Sequence, residues 1–130
     1  MAFLRAVGGG GGGDDWPDMT DAATIPINAN RVTNVVTNGY KFIGSKQYIE
    51  IDGTLNFNVT SGTNYQITTT SIALLENITK SKVEMIIDGY YSNIGPRLVK
   101  NGDLYNLQLA VPLAINLTGK KCRIRILLEQ

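Results

Sequence analysis

The sequence predicts an all-β protein: a jelly-roll-like or Greek-key β-sandwich behind an extended, glycine-rich N-terminal arm, with at most one short helix. Three observations carry this prediction. After Val32, apolar and polar residues alternate with period two in most segments. Turn dipeptides punctuate that alternation about every ten residues, the spacing of sandwiches and barrels. Residues 1–30 show neither feature and contain six consecutive glycines, Gly8, Gly9, Gly10, Gly11, Gly12 and Gly13.

The boundaries follow from this change of pattern: an arm over 1–30 and a β-sandwich domain over 31–130. Glycine buries no side chain and loses more backbone freedom on ordering than any other residue, so the run cannot order itself. Pro17 and Pro26 oppose a continuous helix in the segment that follows. Ahead of the run, Phe3 and Leu4 form an apolar tip, and behind it stands the single tryptophan, Trp16. Apolar tip, flexible tether and aromatic anchor describe an assembly arm, with Trp16 buried against another subunit.

Within the domain, the alternation places Leu55, Phe57 and Val59 on the inner face of one strand. Further strands place Tyr65, Ile67 and Thr69, then Val83, Met85 and Ile87, then Tyr105, Leu107, Leu109 and Val111 on their inner faces. The last strand, "KCRIRILLEQ", turns Cys122, Ile124, Ile126 and Leu128 inward and Lys121, Arg123, Arg125 and Glu129 outward. Phe57 and Ile124 are both expected in the core. Asp52-Gly53 and Asn101-Gly102 read as two-residue hairpin turns. Asn38-Gly39, Ser61-Gly62, Asp88-Gly89 and Thr118-Gly119 read as further reversals. The exception to period two is "TSIALLENIT", where Ile72, Leu75 and Ile78 recur at helical spacing and predict one or two helical turns.

Composition narrows the chemistry. The 130 residues carry a net charge of +1, so bulk charge implies no nucleic-acid partner. No stretch approaches the roughly 18 apolar residues of a membrane span, and "MAFLRAV" is too short and too interrupted by Arg5 for a signal peptide. With one cysteine, no disulfide forms within the chain. Histidine is absent, which removes the commonest general base and metal ligand and any Ser-His-Asp or Cys-His nucleophile. The expectation is therefore a non-enzyme with no catalytic residue, no cofactor and no metal.

Four local features compete with that expectation. Glu50 and Asp52 share a face at roughly 7 Å, within the range of inverting glycosidases, although Asp52 is also a favoured turn residue. Asp14, Asp15, Asp18 and Asp21 have the flexible carboxylate spacing that Ca²⁺ accepts, but match no standard loop. Lys120, Lys121, Arg123 and Arg125 read either as a contact for an acidic surface, including the arm, or as protection of an edge strand. Tyr90, Tyr91 and Asn93 combine aromatics with an amide, as sugar-binding loops do.

A glycine-rich arm, Gly8 to Gly13, ahead of a Thr/Asn-rich, His-free domain with alternating strands from Tyr48 to Glu129, resembles small structural proteins of tailed-phage virions: tail-fibre, tail-tip and head-decoration proteins. The resemblance is one of style over the whole chain. It implies a virion-located, non-enzymatic subunit, a homotrimer or ring that also contacts other virion proteins. The alternative is a receptor-binding module for a host-surface glycan, with Tyr90, Tyr91 and Asn93 as contacts.

Overall fold

Period-two strands do form most of the chain, and all of their pairings are antiparallel. The computed structural model describes residues 16–130 except 60–62, 70–71, 89, 92–94, 102–103 and 112–113; the side chains of 63–64, 90–91, 100–101 and 104–105 also lie outside the description. The strands are β1 (Ala23–Thr24), β2 (Val32–Ile43), β3 (Lys46–Leu55), β4 (Asn58–Val59), β5 (Thr63–Gln66), β6 (Lys80–Ile87), β7 (Tyr90–Tyr91), β8 (Gly95–Asn101), β9 (Leu104–Val111), β10 (Ile115–Asn116) and β11 (Lys120–Glu129). They form a six-stranded sheet in the order β1-β2-β3-β11-β6-β7, a three-stranded sheet β5-β9-β8 and a two-stranded ribbon β10-β4.

The core is shared between the sheets, as in a β-sandwich. Ile49, Ile51, Met85, Ile124 and Ile126 of the larger sheet join Leu107, Leu109 and Val111 of the smaller one in a single buried cluster. Each fully buried aliphatic side chain contributes about 1.5–3 kcal/mol. Strand β11 shows the alternation most clearly: Cys122, Ile124, Ile126 and Leu128 are all buried, as the sequence predicts.

Several local expectations are corrected. Asp52-Gly53 is not a turn, because β3 runs through it to Leu55 and the hairpin reverses at Gly44-Ser45. Gly44 has φ +58°, which glycine adopts without strain. The role of Gly53 is close packing instead. A Cβ there would meet Val32 Cγ1 at 2.9 Å and the Thr33 carbonyl oxygen at 3.1 Å. Asn38-Gly39 likewise lies inside β2, whose register shifts between Thr33 and Thr37, with Asn34 at φ 48°. The reversals at Asp88 (φ 50°) and at Thr118-Gly119 (φ 80° at Gly119) fall where the sequence places them.

Phe57 is half-buried, not a core residue, because the chain leaves strand pairing at Asn56 and Phe57 before β4. Val83 is 39% exposed and Thr69 is exposed, whereas Met85 and Ile67 are buried. No helix forms among residues 72–79. Here Gln47, fully buried, donates from Nε2 to the Ala73 carbonyl (2.9 Å) and accepts at Oε1 from the Leu75 amide (3.0 Å). Those backbone groups are thereby satisfied outside a helix, Ile72 is free to enter the core, and Asn77 at φ 54° leaves helical geometry.

Residues 16–30 also differ from a free arm. Ile25 is completely buried in the core, its amide donates to the Asn38 carbonyl (3.0 Å), and the Asn28 amide donates to the Ile67 carbonyl (2.7 Å). The segment thus crosses from the larger sheet to the smaller one and belongs to the domain. Residues 1–15 lie outside the described residues.

Two outcomes follow from this packing. Gly53→Ala should lower stability by about 1–3 kcal/mol in a urea melt, the usual cost of overpacking, while Gly95→Ala should change it little, since a Cβ there meets nothing within 4 Å. Burial, aided by the charge of Asp52, pushes the Cys122 thiol from 9.0 up to about 12. Its contribution is complete below pH 9 and is lost as pH rises toward 12, because the unfolded thiol ionises first. The alkaline fall in the urea midpoint should accordingly be shallower in Cys122→Val.

Candidate functional site: the N-terminal root on the outer face

The outer face of the larger sheet is unusually buried for a polar surface. Register places Arg125 of β11 directly between Glu50 of β3 and Glu84 of β6. Both glutamates are buried, at 6% and 8% exposure. Arg125 donates from Nε to Glu50 Oε2 at 2.6 Å. In so dry a setting an ion pair is far less screened than at the surface, and removing one partner leaves an uncompensated charge.

Trp16 covers this row. Its ring meets Tyr48 edge-on with centroids 5.1 Å apart, and the Arg125 guanidinium lies 4.9 Å from its centre, within cation–π range. Period two explains the arrangement: Tyr48 and Glu50 are two apart on β3 and share the outer face. The indole Nε1 is buried with no hydrogen-bond partner among the described residues, where ring packing and the cation hold Trp16. Among the described residues Trp16 thus contacts Tyr48 and Arg125 of its own chain.

Further along, Lys41 of β2 donates to the Asp18 carbonyl and pairs with the Asp21 carboxylate at 2.8 Å. That hydrogen bond, and then the lysine's charge, hold the Asp21 carboxyl below its usual value. Gly39 lets the backbones approach, since a Cβ there would stand 2.7 Å from Ala22 Cβ. Pairing of β1 with β2 completes the attachment. Residues 16–24 therefore form a fixed root. A cavity of about 350 Å³ remains beside it, with Asp18, Thr20, Thr24, Thr37, Asn38 and Glu50 among its lining.

The other sequence candidates separate. Glu50 is engaged by Arg125 while Asp52 faces Arg123 across β3–β11, so the two carboxylates do not form an isolated pair. Strand β11 lies between β3 and β6, which overturns edge protection as the role of its basic residues. Arg125 instead contacts the N-terminal segment, and Lys120 pairs with Asp88 at 3.4 Å. Among the described residues no group of three or more acidic or cysteine side chains is arranged to hold a metal. Tyr90 and Tyr91 pair with Ile87 and Ile86 through β7; their side chains, with Asn93, Phe3, Leu4 and Gly8 to Gly13, lie outside the described residues. Tyr48 and Glu84 alternate with core residues of their strands, which is the sequence signal that marks them as outer-face positions. No protein-family model, curated protein or solved structure matches the chain.

Arg125→Ala should cost about 3–5 kcal/mol, because it leaves Glu50 buried without its cation. Pairing it with Glu50→Gln should recover part of that loss in the same chemical melts. Equal instability of the single and double variants would show that the arginine acts through packing alone.

Proposed function

We propose that the chain is a non-enzymatic structural subunit of a bacteriophage particle, a tail or fibre component, which forms a homotrimer or ring and contacts other virion proteins. The residues ahead of Trp16 would reach the neighbouring subunit, and the β-domain would supply the second contact. The observation that supports this reading is the root. Trp16, Lys41 and β1 fasten residues 16–24 to the sheet, which would give a tether ahead of Trp16 a fixed point of attachment. Six glycines span about 20 Å when extended, enough to carry Phe3 and Leu4 across a subunit boundary. Buried apolar anchors dominate most interfaces, and a tether adds effective concentration without adding contacts.

The role of Trp16 in this reading is to orient the tether, and its half-buried contacts with Tyr48 and Arg125 are compatible with that. Comparing a chain that begins at residue 16 with the full chain tests the proposal. Native mass should fall to that of a monomer or smaller assembly, while the melting temperature of the domain changes by only a few degrees. Unchanged native mass would refute the proposal.

A further inference from the structure

At one end of the sandwich a second cluster has no part in the root. Arg31, just before β2, lies 4.7 Å from the centre of the Tyr65 ring and 5.4 Å from that of Phe57. The rings are themselves 4.9 Å apart and tilted by 34°. All three residues are half-buried. The Arg31 Nη1 atom is buried with no hydrogen-bond partner among the described residues. Lys41, Lys46, Lys120 and Arg125 each pair with a carboxylate. Arg31 pairs with none among the described residues. A guanidinium carries five donors in a planar fork shaped for a carboxylate, and leaving such donors unpaired in a dry site is costly.

The surroundings are amide-rich. The Arg31 amide donates to the Asn28 carbonyl (2.9 Å), its carbonyl accepts from the Asn56 amide (2.8 Å), and the Leu117 amide donates to the Phe57 carbonyl (2.9 Å). Asn58 pairs with Asn116 across β4 and β10. These bonds hold exposed Asn30 next to the arginine, while exposed Asn56 and Asn58 flank Phe57 and alternate with it in burial.

We propose that this end binds a carboxylate-bearing sugar. The guanidinium pairs with the carboxylate in the bidentate manner. The edges of Tyr65 and Phe57 pack on the sugar ring, and the exposed Asn30 amide, next in the chain to Arg31, hydrogen-bonds its hydroxyls. Backbone bonds on both sides of Arg31 and the rings beneath its head group fix the fork before ligand arrives, which lowers the ordering cost of binding. The cation distinguishes acidic from neutral sugars. This site is independent of the N-terminal root, so loss of assembly and loss of sugar binding are separately observable.

The test is an NMR titration of the full chain with sialyllactose and with oligogalacturonate, using lactose as the neutral control and polyglutamate as the acidic non-sugar. At least one acidic sugar should bind with a Kd of about 1 mM or tighter and shift the Arg31 Nε–H and the amides of 28–31 and 56–58. Arg31→Gln should weaken that binding about tenfold or more with an unchanged melt. Arg31→Lys keeps the charge without the fork and should also weaken it. No shifts with either acidic sugar, shifts confined to other surfaces, or equal binding of lactose or polyglutamate would each overturn the proposal. If Arg31→Gln does not fold, the wild-type shift map alone decides.

Discussion

Strand β11 is the constraint on which the larger sheet depends. It pairs along its whole length with β3, and from Cys122 to Glu129 with β6. Among the described residues it bridges the hairpin β2–β3 and the pair β6–β7. Its inner face supplies Cys122, Ile124, Ile126 and Leu128 to the core. Its outer face supplies Arg125 to a buried row of carboxylates. A one-residue slip would exchange these faces, burying arginines in the core and exposing isoleucines. The strand therefore specifies register for its neighbours on both edges.

The outer face then explains the N-terminal segment. A buried ion pair stabilises little by itself, since desolvation offsets much of its attraction. Covering it with an aromatic ring adds dispersion and cation–π attraction and keeps water out. Trp16 and the Glu50–Arg125 pair thus support one another. Removing water strengthens the pair, and the pair supplies the cation on which the indole rests. Downstream, the segment crosses to the smaller sheet through Ile25 and Asn28, so fastening its start also steadies a connection between the sheets.

Sequence made the strands legible wherever one face was apolar and the other polar. Strand β11 and the buried residues of β9 are the clearest cases. It misled where a local signal was reused by tertiary packing. Asp52-Gly53 carries hairpin chemistry, yet the glycine serves close approach to Val32 and Thr33. Ile72, Leu75 and Ile78 have helical spacing, yet Gln47 captures the backbone groups a helix would need. Propensity is a weak prior against such contacts. For the site, Trp16 stood out by composition, but its partners did not. Tyr48, Glu50, Glu84 and Arg125 are brought together by strand order, which period two does not encode. Arg31 was equally silent, because its rings arrive from residues 26 and 34 positions away in the chain.

Trp16 is the single tryptophan, so its fluorescence reports on the root alone. The most direct test of the central claim, that the root is part of the folded domain within one chain, is to follow that emission and the far-UV circular dichroism together through a urea titration at several protein concentrations. One transition is expected, with both signals changing together and the emission of the native protein blue-shifted even at the lowest concentration. Emission already characteristic of water in the native state would contradict it. So would a tryptophan transition that precedes loss of the sheet, or one that moves with dilution while the sheet signal does not.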